Sequence, residues 1–139
     1  MNVNEKFNLI LSVCGAICGY LFGGLDVLLG VFATILILDT LTGMFKALYK
    51  GDYKSKTFRL GIFSKTGYMF AVILAVQLDR VMGDTGALRT ALLFCFIANE
   101  ATSIVENLGE VGVPFPAQIT NAIAVLKNKG NSESNNKTE

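Results

Sequence analysis

Residues Val31–Gly61 read VFATILILDTLTGMFKALYKGDYKSKTFRLG. The stretch opens as an apolar run long enough to enter a bilayer, carries an acid, Asp39, inside that run, and ends where lysines alternate with aromatics and glycines. An apolar helix needs about 20 residues to cross the hydrocarbon core, and residues 27–48 supply them. Asp39 lies about 10 Å along the helix axis from Lys46. Thr42, Gly43, Lys46 and Lys50 follow it at helical spacing, so a polar stripe grows wetter toward one end.

Outward from this stretch the pattern repeats. Uncharged FNLILSVCGAICGYLFGGL lies between Lys6 and Asp26, and further apolar runs cover residues 62–82 and 88–108. Only 17% of the 139 residues are charged and the mean hydropathy is +0.50. A soluble domain carries about 25% charged residues, and here the apolar excess sits in runs rather than being spread evenly. The reading is one all-α membrane domain with transmembrane helices over about 7–24, 27–48, 62–82 and 88–108. A short amphipathic helix over 117–128, lying on the membrane surface or under the bundle, and a disordered polar tail over 131–139 complete it. The first run could be a secretory signal, but NVNEK carries little positive charge and no A-x-A site follows, so a retained helix is expected.

Gly15, Gly19 and Gly23 repeat every four residues on that first helix. Small residues let a second backbone approach in lipid, which makes these three the helix-packing candidates, toward the chain's own second helix or toward another copy. Cys14, Cys18 and Cys95 all lie in apolar runs and do not read as a disulfide framework.

Charge sets the orientation. Half of the twelve Lys and Arg residues fall between Lys46 and Lys65, and loops rich in such residues stay in the cytoplasm. Lys50, Lys54, Lys56 and Arg59, interleaved with Tyr49, Tyr53 and Phe58, form a basic membrane-surface loop rather than a nucleic-acid site, because spans flank it on both sides. Four spans then place both termini in the cytoplasm, with Lys127 and Lys129 on the same side; Arg89, near the start of the fourth span, would reach outward to the opposite surface.

Asp39 and Glu100 lie about two turns from the ends of their helices nearest the basic loop, hence at similar depth. Each carboxylate left facing lipid would cost about 2.5–3.5 kcal/mol, so both should face protein or water. Lys65 is a shared partner at the same depth. The candidates for an intramembrane polar network, or for a lumen lining, are Asp39, Thr42, Lys65, Asn99, Glu100 and Ser103; the last three share a broad polar arc with Glu106 and Asn107. The chain has no His, no nucleotide-binding glycine motif and no nucleophile set beside a base, so neither enzyme activity nor a catalytic, cofactor or metal site is expected. A lesion-forming protein, a small ion channel or transporter subunit, and a non-conducting scaffold all fit these residues.

GGLD at Gly23–Asp26, LDTLTG at Leu38–Gly43 and LRTALLFCFIANEATSIVENLGEVGVPFP at Leu88–Pro116 together resemble the phage holin family that also includes toxin-secretion holins of clostridia. IANEATSIVENL followed by G-x-P-x-P is the most specific part, and the resemblance covers roughly residues 9–127. It implies a homo-oligomer in the bacterial cytoplasmic membrane that opens lesions for a cell-wall hydrolase, the endolysin, or for a toxin. Direct contact with that cargo is not implied.

Overall fold

The computed structural model describes residues 1–51 and 55–135, with side chains described outside 55–58 and 133–135. Lys54 and the side chain of Lys56 therefore lie outside the described residues, as do residues 136–139. Five helices account for the fold: α1 (Val3–Phe22), α2 (Val27–Lys50), α3 (Ser55–Val81), α4 (Ala87–Gly109) and α5 (Ala117–Asn135). The first four are long and apolar enough to cross a membrane.

Local chemistry sets the helix ends. The Asn2 backbone N–H donates to Glu5 at 2.8 Å at the start of α1. Gly23, at φ +73°, closes its other end in the left-handed region where glycine alone is unstrained. Asp26 caps α2 by accepting from the Leu29 N–H at 2.9 Å. The start of α4 is capped from a distance. Asp79, 2% exposed near the end of α3, accepts from the N–H groups of Leu88 at 3.1 Å and Arg89 at 2.9 Å. These are two of the donors that a helix N-terminus leaves unpaired, and their partial positive charge suits a buried carboxylate.

The central element is α4, which packs against α2, α3 and α5. Phe32 and Leu36 from α2, Val72 from α3, and Leu93 and Ile97 from α4 form the core, with Tyr68, Met69, Phe96 and Leu126 packed around it. Tyr68 stacks on Phe96 with ring centroids 4.2 Å apart. By contrast α1 contributes no buried residue and leans on α3. Its apolar side chains, like those on the outer faces of α2 and α3, are exposed, as expected of helices solvated by lipid.

The last helix, expected on the membrane surface or under the bundle, packs along α4. α5 runs back along α4 with Leu126 against the core cluster. Ile123, Leu126 and Gly130, spaced three and four apart, form its inward face. Gly130 is buried, and a Cβ there would lie 2.5 Å from Cys95 Sγ and 2.9 Å from the Ala91 carbonyl. The missing side chain lets the two backbones close. Docking also carries the helix past Lys129 to Asn135, through a segment whose composition alone reads as tail; α4 supplies the packing that the isolated sequence lacks. Gly130→Val is expected to separate α5 from α4, read as loss of hydrogen-exchange protection across residues 120–132 in detergent or nanodiscs. Unchanged protection would contradict this packing.

Candidate functional site

Inside the bundle, toward the end that carries Lys46 and Lys50, three helices are joined through charge. Lys65 on α3 donates from Nζ to Asp39 Oδ2 on α2 at 2.8 Å and also to Glu100 Oε2 on α4. Asn107, two turns beyond Glu100, donates to Asp39 Oδ1 at 3.3 Å and lies 3.5 Å from the Thr42 hydroxyl. That hydroxyl donates back to the Asp39 carbonyl at 3.1 Å. The side chains of Lys65, Asp39 and Glu100 are 17%, 15% and 10% exposed, so the pairing is largely withdrawn from the surroundings. Breaking such a pair from one side leaves an uncompensated charge, which is why its loss is costly. With all three groups ionised, two carboxylates and one ammonium carry one net negative charge.

Two further charge clusters close the ends of the bundle. At the basic end, Glu110 in the turn after α4 accepts from Lys46 at 3.3 Å and from Lys50. These lysines hold its carboxyl below the ordinary value. The pairs are solvent-exposed and bring the end of α2 to the α4–α5 turn without adding much stability.

At the far end, Arg89 is buried rather than extended outward. It grips Asp26 with both terminal nitrogens, at 2.8 and 2.9 Å, and donates to the carbonyls of Phe22 and Gly24. Nearby Arg80 donates to the Tyr20 carbonyl at 2.6 Å and lies 4.1 Å over the Tyr20 ring. The α1–α2 turn is thus held by two guanidinium groups. They arrive from the end of α3 and the start of α4.

The Arg89 guanidinium, with the Leu29 N–H, holds the Asp26 carboxyl below its ordinary value despite some burial. A lowered folded value means that the stabilisation is complete above the unfolded carboxylate value, about 4. It is lost as pH falls through the folded value. The turn is therefore expected to resist an acid-active protease at pH 5 and to become cleavable only well below pH 4. Cleavage between pH 5 and 6 would contradict the pairing.

Of the residues singled out by sequence, the structure brings Asp39, Thr42, Lys65 and Glu100 together. Asn99 is exposed and Ser103 half-buried, and neither bonds to a member of this network among the described residues. Asn107 joins it instead; its signal was the seven-residue spacing from Glu100, two turns along one helix face. Gly23 is used within the chain, since a Cβ there would lie 3.1 Å from both Arg89 Cδ and Val76 Cγ2. Gly15 has open space beside it and Gly19 has only Leu25 near. Arg59 is exposed near the start of α3.

Residues 16–128, which take in all three charge clusters, match the profile of the bacteriophage holin family. The chain belongs to that family. A probable holin of Bacillus phage phi105 is 35% identical over 120 residues, covering 86% of this chain and 85% of that protein. An uncharacterised protein of Listeria innocua is 34% identical over 119 residues, covering 86% and 85%. An uncharacterised 14.9 kDa protein from the nagH 3′ region of Clostridium perfringens is 33% identical over 116 residues, covering 83% and 88%. No solved structure matches. Family membership and four apolar helices together make this a multi-pass membrane protein.

Proposed function

We propose that the chain is a lysis holin of the bacterial cytoplasmic membrane. Copies accumulate with the N-terminus and the Lys46–Lys65 loop on the cytoplasmic side, oligomerise, and open lesions that let an endolysin, or a toxin, across. The observation that carries this reading is the near full-length similarity to the probable phage holin. The Lys65 network supports a role in holding α2, α3 and α4 as one unit within each copy, because its members pair within a single chain.

Induced expression in bacteria, with and without a cytoplasmic endolysin, tests the proposal. Growth should continue, then stop abruptly with depolarisation, and rapid lysis should follow only when the enzyme is present. Graded ion leak without release of the enzyme would replace this reading with that of a small channel. In the same assay, Asp39→Asn and Glu100→Gln each leave Lys65 with one carboxylate. Each should shift the onset of depolarisation at equal membrane abundance. Onset times indistinguishable from wild type would remove the network from the lytic process.

A further inference from the structure

The position of α5 conflicts with a lipid neighbour on its outer side. Leu126 packs in the cluster that holds Leu93 and Ile97, midway along the spanning helix α4. Gly130 lies still nearer the far end, against Ala91 and Cys95. Lys127 and Lys129 therefore sit within about 6 Å of mid-span level, at ~1.5 Å rise per residue, and both are exposed.

The face of α5 opposite Ile123, Leu126 and Gly130 carries Asn121, Asn128 and Ser132, spaced seven and four apart, with Val125 between the two asparagines, all exposed. Lys127 and Lys129 flank this amide and hydroxyl stripe on either side. Unlike α1–α4, α5 is not apolar enough to span. A lysine-bearing polar face at this depth is sustained by water and not by hydrocarbon.

We propose that α5, docked on α4, is the water-facing wall of the assembled lesion, with Asn121, Asn128 and Ser132 lining its lumen and Lys127 and Lys129 giving it a positive potential. This rests on the lesion-forming reading above. It assigns the lumen to the least apolar helix, not to the carboxylates of Asp39 and Glu100. Those acids are turned inward onto Lys65. A lumen with this lining favours anions in the ionic current that the protein carries.

The Cys95 thiol lies 3.9 Å from Asn131 Oδ1, which provides a covalent test in the full-length protein. With Cys14→Ser, Cys18→Ser and Asn131→Cys, oxidation of liposome-inserted protein should form an intramolecular disulfide. The oxidised protein should still release a trapped protein-sized dextran. Failure to form the disulfide in inserted protein would overturn the docked position. A disulfide that blocks release until reductant is added would show that the docked arrangement is the closed one, and would overturn the lumen assignment.

Independently, Lys127→Glu combined with Lys129→Glu should move the reversal potential under a KCl gradient from anion toward cation preference. An unmoved reversal potential would place these lysines away from the conducting path. Wild-type protein that releases no dextran would remove the lesion-forming reading itself, and this assignment with it. Release by wild type alone, lost on crosslinking, separates the two failures.

Discussion

Lys65→Met is expected to destabilise the inserted bundle by about 3–5 kcal/mol, the range for removing one partner of a buried ion pair. The substitution keeps an apolar stem of similar length but leaves Asp39 and Glu100 without the ammonium that lies between them. Two carboxylates then face each other in a largely water-free space, where Asn107 donates to Asp39. The measurement is thermal unfolding in a fixed detergent, followed by loss of monodisperse protein or of protease resistance.

Combining Lys65→Met with Asp39→Asn and Glu100→Gln should recover most of the loss, since neutral groups of matched shape remove the burden of unpaired charge. A single variant as stable as wild type would mean that the ammonium contributes no net stability. A triple variant no better than the single would mean that shape, not charge, governs the site.

The second large effect is expected at the opposite end. Arg89→Gln removes a planar group that binds Asp26 with two nitrogens and also satisfies two backbone carbonyls. Hydrogen bonds to charged groups contribute about 1.5–3 kcal/mol, and here the loss falls on one segment. α1 buries no residue of its own. Without Arg89, its described polar ties to the bundle reduce to the Arg80 contacts with Tyr20. Hydrogen exchange in nanodiscs should show residues 20–26 opening while α2, α3 and α4 keep their protection. Arg89→Lys should not restore the turn, because one ammonium cannot reproduce the two-pronged grip. Opening spread evenly over all helices would instead make Arg89 a general core residue.

Much of this architecture is legible in the residues. Four apolar runs and their spacing specify the helices. Depth counted along each run sets Asp39, Lys65 and Glu100 level with one another. What periodicity could not supply was how helices sit side by side. Arg89 near the start of an apolar run suits reaching the headgroups, and only the placement of the α1–α2 turn shows that it reaches sideways to Asp26. Asp79 beside Arg80 reads as an ordinary helix end. Its role as a cap for α4 depends on the turn that brings Leu88 and Arg89 back over it.

For α5 the composition pointed to the membrane surface or the underside of the bundle, and the decisive residue was Gly130, whose absent side chain gives no hydropathy signal. Choosing Asn99 and Ser103 over Asn107 had a similar cause. A broad polar arc says which side of α4 is wet, but the two-turn spacing from Glu100 says which residue reaches the same network.

The pairing of Asp39 with Lys65 has a consequence for how the protein is made. Lys65 is translated 26 residues after Asp39, and Glu100 35 residues after Lys65. At about 5–20 residues per second, the ribosome has yet to deliver the counter-charge for roughly 1–5 s after the acid has been synthesised. A helix released laterally into lipid at that moment would carry its carboxylate alone. The second helix is therefore best retained by the insertion machinery until the third arrives, and the two should leave it as a pair.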